Sequence, residues 1–353
     1  MAIITGTGSY IPHTKISNSN FLNNTFYEPD GAVIPKDNSS ITEKFSLITG
    51  IRERRYAQPE QVASSLGIIA AAAALEASGI NKESLDYIIV AHNFGDVTTG
   101  TNRVNIVPSV ASKIKAGLKI TNPDCIGYDL AFGCPGWVEG LIQANYYLKS
   151  GDAQRCMVIG TETLSRVIDP HDRDSMIFSD GAGAAILEKS DIKSLGILAH
   201  KTQTFAVEYS ELIRMDRSNS PAVESCNIFL KMNGRKVYEF ALTHVPLVIK
   251  GALDKAALHI DEIKLILIHQ ANEKMNNAIG ERLLNLYSSK STVKDIMPLT
   301  VGYLGNSSVA SVPTLLDMIL KGKMEKHKIG NGDKVVFASV GAGMNINAVV
   351  YGF

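Results

Sequence analysis

The sequence predicts an α/β fold with a largely parallel sheet, built twice over. Three observations carry this. Short apolar runs of strand length alternate with longer apolar stretches; one of these, Ala63 to Ser78, is alanine-rich and too long for a strand; and the second half of the chain repeats patterns of the first. Ile3 to Gly6 and Tyr87 to Ala91 read as strands. Between them, ASSLGIIAAAAALEAS reads as a helix whose small side chains let it lie close against a sheet. ALEASGINKESLDYIIVAHN (Ala74 to Asn93) is echoed by ALDKAALHIDEIKLILIHQAN (Ala252 to Asn272): helix, acidic turn, apolar strand, then His and Asn. SDGAGAAILEKS (Ser179 to Ser190) is echoed by SVGAGMNINAVVYGF (Ser339 to Phe353), each read as a Gly-Ala-Gly turn ahead of an apolar strand. The echoes fall in the same order, which divides the chain into residues 1–190 and 191–353. Two polar segments, Ser17 to Thr42 and Phe94 to Arg103, read as loops.

Composition narrows the function. The 353 residues are 45% hydrophobic, enough for a large buried core. With 35 basic and 35 acidic side chains there is no net charge, and so no electrostatic case for a nucleic acid or an anionic membrane. The four cysteines form no CxxC pair, which fits a reducing compartment. The start, MAIITGTGSYIP, lacks the basic region of a signal peptide, and no later stretch is long and apolar enough to span a bilayer. A cytoplasmic protein is expected. The eight histidines are dispersed, with no HExxH and no paired cysteines, so no metal is expected. GTGSY lacks the GxGxxG spacing and no GxxxxGK[ST] occurs, which leaves no nucleotide cradle.

The segment AFGCPGWVEGL (Ala131 to Leu141) sets Cys134 among small residues ahead of a helix from Trp137 to Leu148. Proline suits the first helical position, because its missing N–H has no partner there anyway. A cysteine at a helix N-terminus meets unpaired N–H groups and the positive end of the macrodipole, which favour a thiolate and lower its pKa. His269 follows the apolar strand Leu265 to Ile268, at the strand end where ligands of open α/β sheets bind. Asn306 follows Gly305 and precedes a helix from about Val309 to Lys321. Gly341-Ala342-Gly343 is a tight turn that can aim backbone N–H groups at an oxyanion. Each has a plainer reading: core cysteine, strand-capping histidine, N-cap asparagine, β-turn. Together they propose a thiol nucleophile, an imidazole and a carboxamide donor.

With these residues in view, the chain resembles the β-ketoacyl-acyl-carrier-protein synthase III family of the thiolase superfamily. The likeness runs through IITGTGSYIP, TGIRERRY (Thr49 to Tyr56), the cysteine segment, DPHDRDSMIFSDGAGAAIL (Asp169 to Leu187), LIHQAN (Leu267 to Asn272) and GNSSVASVP (Gly305 to Pro313). It implies a homodimer of thiolase-like, five-layered αβαβα protomers. It implies Cys134 as nucleophile, His269 and Asn306 as the decarboxylation pair, and N–H groups of Cys134 and of Ala342 or Gly343 as the oxyanion hole. Acyl-coenzyme A and a malonyl thioester of acyl carrier protein are the implied substrates, with no cofactor. Arg173 matches an arginine beside the coenzyme A adenine. Arg235, Lys236 and Lys274 are implied docking residues for the acidic carrier protein, although Glu239 stands where a docking lysine is often found.

The sequence departs from the family pattern in four places, of which the last two bear on the donor and the primer. The cysteine follows Phe132-Gly133 and precedes Pro135, and Ala342 replaces a middle glycine. Lys44 or Phe45 stands where a tryptophan stacks on the adenine in the family. Val107 stands where acetyl-selective members carry a phenylalanine that closes the acyl channel across the dimer interface, and the loop before it is longer. A channel open to longer primers is therefore expected. The alternatives are a secondary-metabolic ketosynthase or acyltransferase taking longer or β-keto primers, and a non-catalytic partner subunit, which the intact Cys134, His269 and Asn306 oppose. A hydroxymethylglutaryl-type synthase needs a glutamate between Glu83 and Glu139, where none occurs.

Overall fold

The computed structural model describes every residue except Asn102 and Ser225. Its longer strands are β1 (Ala2–Tyr10), β2 (Tyr87–His92), β3 (Ile126–Ala131), β4 (Arg155–Thr163), β5 (Asp180–Lys189), β6 (Gly196–Thr204), β7 (Ile263–Ile268), β8 (Lys334–Gly341) and β9 (Asn345–Gly352). They form a five-stranded sheet ordered β1-β5-β4-β2-β3 and a four-stranded sheet ordered β6-β9-β8-β7. The first four strands of each match in order and direction: two antiparallel pairings and then a parallel one. Of these longer strands, those as far as Lys189 belong to one sheet and those from Gly196 to the other.

The sheets are mixed rather than largely parallel. Strands β8 and β9 are joined by a turn too short for a crossover, so they run antiparallel. In that turn Gly343 takes a left-handed conformation, φ +73°. The expected counterpart turn in the first half does not exist. Gly181-Ala182-Gly183 lies inside β5, where a Cβ on Gly183 would come within 2.7 Å of the Pro313 ring.

Helices α1 (Asn38–Thr49), α2 (Ala63–Ser78), α3 (Val110–Gly117), α4 (Gly136–Ser150), α5 (Gly234–Ala256), α6 (Glu273–Leu286) and α7 (Ser311–Leu320) lie on and between the sheets. Strand side chains alternate between faces, and the core divides accordingly. Ile88 and Val90 pack with Leu66, Ala70 and Ile114 of α2 and α3. Ile89 points the other way, into a layer shared with Trp137 and Leu141 of α4, Leu315 of α7, and Leu265 and Leu267 of the second sheet. Ile266 and Ile268 face Val245, Ile249 and Ile279 on α5 and α6. This is the five-layered αβαβα arrangement, with α4 and α7 between the sheets. Each buried Leu, Ile or Val contributes about 1.5–3 kcal/mol. Helix α2 lies close because its partners are glycines: a Cβ on Gly8 would fall 2.2 Å from the Ala70 carbonyl oxygen.

Part of the expected loop between Ser17 and Thr42 is helix. Asp37 accepts from the Ser40 N–H at 2.9 Å and starts α1, which buries Ile41, Phe45 and Thr49 and stops at Gly50, φ +75°. Its polar start hid an apolar stripe. The loop at Phe94 to Arg103 forms only a short ladder, Asp96–Val97 with Val104–Asn105. No helix among the described residues is long and apolar enough to cross a membrane.

Candidate active site

Strand β3 hands the chain to a tight turn and then to α4. Gly133 takes φ +67°, and its carbonyl accepts from the Gly136 N–H at 2.9 Å. Pro135 is the N-cap rather than the first helical residue; its carbonyl accepts from the Glu139 N–H at 3.0 Å. The turn is pressed against the one between β8 and β9. A Cβ on Gly133 would sit 2.9 Å from the Ala342 nitrogen, and one on Gly341 only 2.6 Å from the Cys134 nitrogen. Glycine at both places lets the two turns meet, which brings Ala342, one of the two expected oxyanion residues, beside the cysteine turn; Gly343 does not line the chamber.

Cys134 is not the low-pKa thiolate that the helix start suggests. Burial pushes its thiol up to about 12, against the opposing effects of a Ser308 hydroxyl bond and its own N–H. Ser308 donates to Sγ at 3.2 Å. The charge of Glu162 raises the thiol further.

Asn306 and His269 reach the same chamber from the second half of the chain. The Asn306 N–H donates to the Ile177 carbonyl at 2.9 Å, and its carbonyl accepts from the Ser179 N–H at 2.8 Å. Just before it, Gly305 takes φ +68°, with the Cβ of the fully buried Arg54 2.6 Å from where its own would be. Arg54 is itself held by the Met176 and Ile16 carbonyls and by Asn18, at 2.9, 3.0 and 2.7 Å. The Asn306 side-chain oxygen accepts from the Ser308 N–H at 2.8 Å, which leaves its amide N–H groups toward the chamber. His269 is anchored by its N–H to the Ala338 carbonyl at 2.9 Å, and Nδ1 lies 2.8 Å from Ser311 Oγ. Burial lowers its pKa to about 4, with a Ser308 backbone contact opposing. The imidazole is neutral at physiological pH.

Cys134, His269, Asn306, Ser308, Gly341 and Ala342 line one small chamber of about 50 Å³. It continues into a cleft of about 870 Å³, a size suited to an extended small-molecule arm. Basic residues Lys36, Lys44, Arg173, Arg235 and Lys274 line the cleft against the carboxyl of Asp174, which burial and the neighbouring Asp172 raise to about 6. Arg173 reaches the cleft but is engaged by Glu28 at 3.1 Å, and Arg235 by Glu239 at 3.0 Å. Such exposed pairs are worth under about 1 kcal/mol and open easily to a ligand. Lys236 is exposed outside the cleft lining. Val107 is 83% exposed and does not line the chamber within one protomer. Among the described residues no group of His, Cys, Asp and Glu side chains is placed to hold a metal ion.

Sequence reasoning overlooked Asn93, Ser308 and Glu162. Asn93 and Ser308 lie inside motifs noted for their neighbours. Glu162, in GTET at the end of a buried strand, gave no signal at all.

The chain is similar to proteins of one known family. The family model for 3-oxoacyl-[acyl-carrier-protein] synthase III matches residues 128–205, and the model for its C-terminal part matches 253–353, together just over half of the chain. The β-ketoacyl-[acyl-carrier-protein] synthase III of Sphingopyxis alaskensis is 32% identical over 99% of this chain and 98% of its own. The crystal structure of the corresponding Thermus thermophilus enzyme superposes with a TM-score of 0.81 at 28% identity, over 99% of this chain and 98% of that one. The priming β-ketosynthase of the R1128 polyketide pathway superposes with a TM-score of 0.80 at 25% identity, over 100% and 96%. The chain thus belongs to the β-ketoacyl-[acyl-carrier-protein] synthase III family, condensing acyltransferases of fatty acid biosynthesis.

Proposed function

We propose that the protein loads an acyl group on Cys134 and condenses it with malonyl-acyl-carrier protein. The convergence of Cys134, His269 and Asn306 on one chamber at the floor of a basic-lined cleft carries this reading. The Cys134 sulfur attacks the carbonyl of an acyl thioester, from coenzyme A or a carrier protein. A C–S bond forms, the donor's C–S bond breaks, and the cysteine proton ends on the departing thiol. The half-buried thiol, with its pKa raised, suits this, because the sulfur is ionised only as it reacts.

Malonyl thioester then takes the leaving group's place. A hydroxyl of Ser311 donating to Nδ1 puts the His269 proton on Nε2, so Nε2 and the Asn306 amide both donate to the thioester carbonyl. Carbon dioxide leaves, the resulting enolate attacks the acyl-Cys134 carbonyl, and collapse of the adduct returns the thiolate and releases the 3-oxoacyl product. A neutral imidazole donates to the enolate without surrendering its proton. The N–H groups of Cys134 and of Ala342 or Gly343 serve the tetrahedral oxyanion, each good donor being worth about 3 kcal/mol. Lys274 and its basic neighbours at the cleft mouth suit an acidic carrier protein, and a homodimer is the proposed working form.

A second reading, priming with longer acyl chains in secondary metabolism, is favoured by Val107, which has no aromatic ring to close a channel. One experiment serves both. The protein is incubated with acyl thioesters from acetyl to dodecanoyl, on coenzyme A and on carrier protein, and the adduct is read on the Cys134 peptide by mass spectrometry. Acyl transfer to Cys134, lost in Cys134→Ala, is expected, with a preference beyond acetyl that shifts to short chains in Val107→Phe. An adduct that persists elsewhere in Cys134→Ala would sink the mechanism. A parent that prefers acetyl, with no shift in Val107→Phe, would sink the longer-primer reading.

A further inference from the structure

Behind Cys134 stands a row of side chains that the reaction above leaves without a task. Glu162, 1% exposed at the end of β4, accepts the Asn93 backbone N–H at 2.9 Å. The same carboxyl oxygen accepts from the Asn93 side-chain amide, whose nitrogen also donates to Ser308 Oγ at 2.9 Å. With an amide hydrogen directed at its oxygen, the Ser308 hydroxyl sends its own proton to the Cys134 sulfur, 3.2 Å away. The row therefore has one polarity: carboxyl, amide donor, hydroxyl, sulfur. An amide nitrogen with two hydrogens does not accept a third, so this is no proton wire. It aims a hydroxyl and sets a buried charge near the nucleophile.

We propose that the Ser308 hydroxyl, aimed by Asn93, is the donor that stabilises the Cys134 thiolate, and that Glu162 tunes that thiolate through its own charge state. Burial holds the Glu162 carboxyl up to about 7, with Asp180 raising it further and His92 and the Asn93 donors opposing. The titratable groups that face it are His92 from β2, Asp180 from β5 and Cys134 itself. His92 is in turn 3.0 Å from Asp129 on β3, and Arg166 lies near Asp180. Below its pKa Glu162 is neutral and leaves the thiolate undisturbed; above it, the carboxylate opposes a second negative charge nearby. Ser308 lies two residues after Asn306, but its backbone N–H, not its hydroxyl, holds the Asn306 amide. Removing the hydroxyl therefore separates the two duties.

The proposal rests on Cys134 as the nucleophile, and its test reads the thiol directly, with no acyl substrate. Alkylation of Cys134 by iodoacetamide, followed on its peptide by mass spectrometry across about pH 5 to 10, tracks the thiolate fraction. The parent should show a rise interrupted by a shallow region near pH 7, where Glu162 ionises. Glu162→Gln should rise without interruption and react faster than the parent above that region. Ser308→Ala should react about ten to a hundred times more slowly throughout, as expected for a lost hydrogen bond to a charged group. Ser308 sits at φ +51°, a conformation glycine adopts freely, so Ser308→Gly separates strain from chemistry. Ser308→Gly should be as slow as Ser308→Ala. Parent-like alkylation in Ser308→Gly, or a parent profile without the shallow region, overturns the proposal and leaves the nucleophile reading standing. The parent profile and the Ser308 pair decide the matter even where Glu162→Gln does not fold. An acyl adduct away from Cys134 would instead overturn the nucleophile reading.

Discussion

Replacing Gly341 by alanine adds one methyl group where the two turns of the site meet. Its backbone is extended, φ −169°, so alanine meets no conformational penalty there and the whole effect comes from contact. The new Cβ would lie 2.6 Å from the Cys134 nitrogen, 2.7 Å from the Pro135 ring and 2.8 Å from the Cys134 Cβ. None of these atoms can swing aside as the end of a side chain can. Overpacking of a close-packed interior costs about 1–3 kcal/mol, and the rigid neighbours put this case near the upper figure. For a chain of this size about 3 kcal/mol lowers the melting temperature by about 4 °C. Relief comes by moving Cys134 or the turn at Ala342, and a misplacement of about 1 Å costs about a hundredfold in rate. Thermal unfolding and the rate of Cys134 acylation from an acyl thioester measure the two effects. Gly79→Ala is the control: φ is +68° but nothing lies within 4 Å, so it should cost about 1 kcal/mol and leave acylation intact. Parent-like stability and acylation in Gly341→Ala would refute the argument that the two turns are held in contact by missing side chains.

His269→Ala and Asn306→Ala should still accept an acyl group on Cys134 but lose decarboxylation of the malonyl thioester by about a hundredfold or more; carbon dioxide release at the parent rate in either would break the division of labour. Lys274→Glu should slow reaction with carrier-bound malonyl groups, more at low salt than at high; equal rates at every ionic strength would remove it from the docking surface. Stability should depend on pH through two opposed groups. The folded His269 titrates near 4 against 6.5 unfolded, so the unfolded chain binds more protons between them and acidification destabilises. Glu162 titrates near 7 against 4.5, so the folded chain holds the extra proton and stability falls as pH rises through that range. Where the windows overlap the two offset one another. Glu162→Gln removes one of them, and its urea midpoint should fall more steeply than the parent's between about pH 6.5 and 4.5; parallel curves would exclude the account.

The legible parts of this molecule were those written in local pattern. Helix α2 occupies Ala63–Ser78 as its alanine run predicts, and His269 directly follows the strand expected to deliver it. Cys134 precedes a helix, as its neighbours require. What failed depended on the rest of the chain. The Gly-Ala-Gly at Gly181 reads like a turn, but a glycine strand is equally good when Pro313 must pack on it. The thiol shift reversed because a helix start is a local property and burial is not. Glu162 was invisible because a lone glutamate in an apolar strand shows no partners until Asn93, far off in sequence, lies beside it.

The repeated halves carry a history in their histidines. His92 ends β2, and His269 follows the equivalent strand β7. The first accepts from the Gly95 N–H at 2.9 Å and lies 3.0 Å from Asp129, a fixture of a turn. The second opens on the chamber. A gene that doubles itself doubles its constraints as well, and one copy can then be released from them. Here Cys134 comes from the first half and His269 and Asn306 from the second, so the two halves build one proposed reaction centre rather than two. His92 has become part of the scaffold, held by its turn rather than turned toward the chamber.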